Sequence, residues 1–295
     1  MSQLLIAALL VSAAIPAAAA ESAGFLTIGP GARALGMGGA YSALGGDAGA
    51  IYWNPAGLSR VERREFTASH AELFESTRHD FAAHAHPVRV GVIGGALTYL
   101  SQGRIEGRDT QGRPTGGFDA SDAALSLAYA RRTELIEFGA AIKYIRSHIG
   151  STEAQGAAVD LGVRREWGAL GVGGALRNLG PGLRFADQRN DLPLRLAAGA
   201  SWKPECHIVA IEGVNGPRGA GTDVSVGGEL CAAKPLRLRA GYTTQTSVSG
   251  GSGFDAARGL TLGLGVQNDA WSVDYAVLPT GELGRSHRFS FSARW

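Results

Sequence analysis

From residue 64 to the C-terminus, the chain is built from segments of about ten residues in which apolar and polar side chains alternate. In the last segment, Phe289, Phe291, Ala293 and Trp295 alternate with Arg288, Ser290, Ser292 and Arg294. Leu260, Leu262, Leu264 and Val266 do the same against Thr261, Gly263, Gly265 and Gln267. A period of two puts the two sets on opposite faces of a β-strand. Fourteen such segments are readable, including 89–101, 120–131, 192–203 and 206–214. Their connections are sorted. Tight ones fall at Pro87-Val88, Arg132-Thr133, Trp167, Pro204-Glu205, Ala233-Lys234 and Asp269, and longer ones at 102–119, 179–191, 215–221, 244–257 and 280–285. Short turns on one rim and long loops on the other are the pattern of a transmembrane β-barrel.

The polar face strengthens that reading. It carries Glu137, Lys143, Asp160, Arg164, Arg177, Arg195, Glu212, Glu229, Arg237, Arg239 and Asp274. Charges facing lipid cost a few kcal/mol each, whereas in a wet lumen opposite signs pair. Glycines of the same parity, among them Gly139, Gly162, Gly173, Gly199, Gly241 and Gly263, leave space inside. Tyr129, Trp167, Trp202, Trp271 and Trp295 share the parity of the apolar face and lie at the short-turn ends of their strands. Aromatic residues at one level read as an interfacial girdle.

Residues 31–59 are of another kind, with eight glycines among Tyr41, Ile51, Tyr52 and Trp53. Glycine lets backbone approach backbone, and a flexible linker would not carry such an apolar cluster. Asn54-Pro55 initiates a turn. The expected organisation is an all-β chain: a secretory signal at 1–20, a glycine-rich hatch at 21–60 lying inside the lumen, and an antiparallel barrel of about 14 strands at 61–295. Leu4 to Val11 is the apolar core of the signal and Ala18-Ala19-Ala20 its small-residue cleavage site. Both mature termini are expected on the short-turn side. A net charge of +2, with 18% charged residues, leaves no nucleic-acid footprint.

A family is now recognisable. Gly36-Met-Gly-Gly-Ala40, Gly46-Asp47, Trp53-Asn-Pro-Ala-Gly57, Asn178-Leu-Gly180, Leu192-Pro-Leu194, Arg239-Ala-Gly-Tyr242 and Asp274-Tyr-Ala276 resemble the PorV/PorQ outer-membrane proteins, within the wider FadL-type superfamily. The resemblance implies a fourteen-stranded barrel in the outer membrane of a diderm bacterium, with Gly36, Met37, Gly38, Gly39, Asn54 and Pro55 in the hatch. The PorV/PorQ resemblance is the closer one, so the expected role is the secretion-linked one, with transport of hydrophobic solutes as the alternative. PorV-type members serve type IX secretion, binding exported protein cargo or translocon partners. FadL-type members move hydrophobic solutes. Loops 102–119 and 244–257 match nothing in the family.

No catalytic, cofactor or metal set stands out, and no enzyme is expected. His84 and His86 share a strand face with Asp80, with His70 and His79 nearby, and are read as lumen-facing polar residues. No G-x-G-x-x-G opens a helix after a strand, and no G-x-S-x-G elbow is present. The two cysteines are different. A loop centred near Arg218-Gly219 sets Glu212 opposite Ser225, Ile211 opposite Val226 and Cys206 opposite Cys231, with both thiols expected toward the lumen. Directly opposed residues lie within disulfide reach, and an oxidising compartment joins them.

Overall fold

The computed structural model describes residues 21–74, 77–185, 188–218, 221–244, 259–279 and 284–295. The expected signal, 1–20, and nearly all of loop 244–257 lie outside the described residues. The strands are β1 (Glu65–Glu72), β2 (Arg78–Val88), β3 (Gly91–Arg108), β4 (Pro114–Arg132), β5 (Glu137–Ile149), β6 (Thr152–Trp167), β7 (Leu170–Leu179), β8 (Leu183–Phe185), β9 (Gln188–Asn190), β10 (Arg195–Trp202), β11 (Ile208–Gly216), β12 (Gly221–Cys231), β13 (Leu236–Thr243), β14 (Leu260–Gln267), β15 (Trp271–Pro279) and β16 (Arg285–Arg294). All but β8 and β9 pair antiparallel with their neighbours, and β1 closes on β16, giving a fourteen-stranded barrel. The β8–β9 pair is a separate hairpin between β7 and β10.

The barrel is apolar outside and charged inside. Along β5, Glu137, Gly139, Ala141, Lys143, Ile145 and Ser147 are buried, while Phe138, Ile142 and Tyr144 are exposed. A water-soluble protein would not expose such a belt; a transmembrane barrel requires it. Tyr129, Trp167, Trp202, Trp271 and Trp295 all stand on the outer face, 37% to 58% exposed.

The N-terminal segment lies inside. It includes the short helices α1 (Ala32–Gly36) and α2 (Ala50–Trp53) and a 3-10 turn at Pro55–Arg60. Wall glycines make the room. A Cβ at Gly162 would overlap Asn54 Oδ1, one at Gly173 would overlap Ser42 O, and one at Gly227 would overlap Met37 O. Met37, Ile51 and Leu58 are fully buried in the lumen, each adding about 1.5–3 kcal/mol of apolar burial.

Four expectations are corrected. First, 102–119 is not a loop: β3 and β4 continue as a hairpin turning at 109–113. Beyond Ser101 on β3 and Ala120 on β4 this hairpin pairs with no other strand among the described residues and its side chains are mostly exposed, so no burial imposes alternation. Second, Asp80, His84 and His86 are on the outer face, because His79, Phe81, Ala83 and Ala85 are the buried set of β2. The hatch is apolar behind this strand, so the strand turns its apolar set inward. His84 stacks on Trp295 with ring centroids 5.7 Å apart. Third, only the C-terminus lies at the short-turn rim, where Trp295 N donates to Arg64 O. The described chain begins in the opposite half, with Ser22 Oγ donating to Asn190 O and Glu21 paired to Arg195 at 2.9 Å. Fourth, Cys206 does not point into the lumen: it is exposed in the turn before β11. The pairing register is as expected, with Glu212 opposite Ser225 and Ile211 opposite Val226, and the two cysteines are bonded with Cα atoms 6.1 Å apart.

Candidate functional site: the lumen above the hatch

The hatch is held by charge. Arg33 bridges Asp47 at 3.3 Å and Glu229 at 3.0 Å; Glu229 also pairs with Arg239 at 2.6 Å, and Arg239 with Asp274 at 2.7 Å. On the other side Arg60 and Arg164 share Glu137 and Glu166. Glu212 accepts from the backbone N–H of Tyr41 and Ser42 at 2.8 and 2.6 Å. Glu137, Arg164, Glu229, Arg239 and Asp274 are nearly buried, so removing one partner would leave the other as an uncompensated buried charge.

Local sequence explains the hatch path. Gly38 and Gly39 adopt φ of 67° and 82°, which a side chain would strain. Gly38 N donates to Thr261 Oγ1 at 3.0 Å, and Gly36 packs on Gly263. Asn54 Oδ1 caps the following turn by accepting from Ala56 N at 3.0 Å, with Pro55 at the first turn position. Its Nδ2 donates to Ser42 O at 2.7 Å and to Val163 O at 3.1 Å, tying hatch to wall. Burial pushes the Tyr52 phenol up to about 12, so it is neutral and donates to Leu26 O.

Above the hatch, toward the long-loop rim, is a cavity of about 370 Å³. Its floor is apolar hatch surface: Leu26, Ile28, Leu35 and Trp53. Its polar side carries Arg177, Asn178, Arg195, Glu212 and Arg288. Arg195 is paired to Glu21. The Nε atoms of Arg177 and Arg288 are buried and have no hydrogen-bond partner among the described residues. Arg177 lies 5.5 Å from the Tyr52 ring centre and 5.8 Å from that of Trp53.

The wall beside this cavity is irregular. The β6–β7 register shifts between the Val159–Leu179 and Leu161–Leu176 pairs, and Asn178 takes φ of 63°. Asn178 Oδ1 accepts from Lys143 Nζ at 2.7 Å, Asn178 N donates to Asp160 Oδ1 at 2.7 Å, and Lys143 pairs with Asp160 at 2.6 Å. At this height β7 leaves the wall, while β6 continues to Thr152. On the outer side of the same spot is a groove of about 520 Å³ lined by Leu125, Leu127, Ile142, Tyr144, Leu179 and Pro181, with Lys143 at its base. Asn178 thus lines the luminal cavity and Lys143 the outer groove, and their hydrogen bond lies between the two spaces.

Lys143, Asp160 and Arg177 share the lumen parity in the sequence, and nothing in their spacing groups them. The readable signal was Asn178-Leu-Gly-Pro181, which breaks the alternation at a strand end.

Solved structures place this architecture. The chain is similar in fold to the toluene transporter TodX of Pseudomonas putida, with a TM-score of 0.65 and 14% identity over 90% of this chain and 96% of that one. It is equally similar to the toluene transporter TbuX of Ralstonia pickettii, with a TM-score of 0.65 and 14% identity over 90% of this chain and 98% of TbuX. The shared feature is the fold, a closed antiparallel β-barrel. No protein-family model and no curated protein matches the chain. At this identity the likeness is one of fold, and the lining of the cavity is this chain's own.

Proposed function

We propose that the protein is an outer-membrane barrel, exported by removal of residues 1–20, that takes up an amphipathic solute with an apolar body and an anionic head. The observation that carries this reading is the cavity, where an apolar hatch floor meets Arg177 and Arg288 with unpartnered Nε atoms. A buried N–H donor without an acceptor is costly, and an anionic head offers acceptors to both arginines, beside the Glu212 carboxylate that lines the same cavity. TodX and TbuX, described as toluene transporters, support passage of hydrophobic molecules through this fold. The arginines distinguish this chain's solute from a bare hydrocarbon. The hatch fills the short-turn half of the lumen, so the solute leaves sideways through the Lys143–Asp160–Asn178 seam into the membrane-facing groove. The five outward aromatics mark the membrane–water interface on the short-turn side. The role is binding and passage, with no reaction.

The test uses purified barrel and radiolabelled dodecanoate against toluene. Wild type binds dodecanoate, and Arg177→Ala weakens it at least tenfold, as expected for one charge-assisted contact of about 1.5–3 kcal/mol. Leu179→Trp fills the groove, so it slows release into vesicles and leaves binding intact. Equal toluene binding by wild type and Arg177→Ala, with no dodecanoate bound, overturns the reading.

A second reading follows the PorV/PorQ resemblance: a secretion-linked barrel whose long-loop rim binds exported protein or translocon partners. One feature favours it, the β3–β4 hairpin standing beyond the wall with two strand edges that pair with nothing among the described residues. Affinity purification from outer membranes separates the readings by what accompanies the protein, lipid-like solute or secretion components.

A further inference from the structure

At the short-turn rim, away from the luminal cavity, Cys206 and His207 sit in the turn between β10 and β11, and Cys231 ends β12. The ligand atoms of all three lie within 4.8 Å of one another. Among the described residues this is the one convergent group of three or more histidine, cysteine or carboxylate side chains. The Cys231 N–H donates to His207 Nδ1 at 3.3 Å, which holds the imidazole against the cysteine pair. Cys231 Sγ lies 2.7 Å from the Cys206 carbonyl oxygen. Cys206 is exposed and the other two are half-buried, so solvent reaches the group.

We propose that Cys206, His207 and Cys231 form a redox-switched site for a thiophilic metal ion, absent while the cysteines are a disulfide and formed when they are reduced. Two thiolates and one imidazole are a ligand set for Zn²⁺ or Cu⁺, with the fourth tetrahedral position left to water. Zn–S bonds of about 2.3 Å in tetrahedral geometry set two sulfurs about 3.7 Å apart. A Cα separation of 6.1 Å accommodates both the disulfide and that spacing, so side-chain rotation suffices and the wall need not move. In the switch, a dithiol or phosphine reductant gives two electrons and, with two protons, the disulfide becomes two thiols. Zn²⁺ then replaces both thiol protons, which leave to solvent. In the reverse direction a small-molecule disulfide exchanges with the two thiolates: it takes up two electrons and two protons to leave as two thiols, the Cys206 and Cys231 sulfurs rejoin, and the ion is released to solvent. The register of β11 on β12 presets the pair for both states, since Ile208 opposite Glu229 carries the two cysteines to the same rim position.

The test uses the full barrel in detergent, reduced with a phosphine, and Zn²⁺ titrated against a chromophoric chelator. The reduced protein is expected to bind one Zn²⁺ per chain beyond any bound by the oxidised protein. Bound Zn²⁺ should slow alkylation of both Cys206 and Cys231 at least tenfold. His207→Ala should weaken Zn²⁺ binding at least tenfold while still forming the disulfide on oxidation, which shows that the variant is folded. The proposal is overturned if reduced wild type binds no more Zn²⁺ than Cys206→Ser/Cys231→Ser. It is equally overturned if His207→Ala binds as tightly as wild type.

Discussion

Gly162→Ala tests how the hatch is held. Gly162 faces the lumen on β6, and an added Cβ would overlap Asn54 Oδ1 and fall 2.9 Å from Ala56 N. Asn54 is 1% exposed and cannot swing into water without carrying the hatch with it. The substitution therefore costs the hydrogen bonds Asn54 makes to Ser42 O, Val163 O and Ala56 N. At about 1 kcal/mol each, the loss is about 3 kcal/mol, or roughly a hundredfold in the balance between seated and unseated hatch. The wall itself keeps its backbone pairing, because Gly162 remains opposite Gly139 and Ala175. Gly174→Ala is the control: it lies on the adjacent strand, and its Cβ would meet only ordinary contacts at 3.6 and 3.7 Å. Amide hydrogen exchange reads the outcome. Residues 36–57 should lose about a hundredfold of protection in Gly162→Ala and none in Gly174→Ala, while β6 amides stay unchanged. Planar-bilayer recordings should show openings that the parent lacks. If residues 36–57 of Gly162→Ala keep parental protection within twofold, the hatch is not seated against this wall.

Lys143→Ala leaves Asp160, fully buried, without its cation, and should lower stability by about 3–5 kcal/mol, read as a lower urea midpoint by tryptophan emission. Lys143→Met with Asp160→Leu should recover most of that loss; a Lys143→Ala barrel as stable as the parent would show that the seam is not closed by this pair. For topology, single cysteines at Gln111 and Lys234 in a Cys206→Ser/Cys231→Ser chain are the probes. An impermeant maleimide should label Gln111→Cys on intact cells and leave Lys234→Cys unlabelled, and the opposite result would invert the orientation.

The number of barrel strands, the alternating order of their hairpin ends and the inward charges of strands such as β5 and β6 were legible in the sequence, because each is a local pattern. Alternation of Phe289, Phe291 and Ala293 with Arg288, Ser290 and Ser292 needs no knowledge of the rest of the chain. The register of β11 on β12 was legible for the same reason, since hairpin register follows from loop position. Tertiary structure alone decided what the lumen contains at each height. His84 and His86 face outward because the hatch behind β2 is apolar, a fact about residues 37–58 that no reading of 78–88 could supply. Residues 102–119 are strands in solvent, where burial no longer writes alternation into sequence. The cavity and its seam arise where Arg177, Asn178 and Arg288 from the wall meet Leu26 and Trp53 of the hatch. Their sequence positions are far apart, and only closure of the barrel around the N-terminal segment brings an apolar floor and arginine Nε atoms without an acceptor into one space.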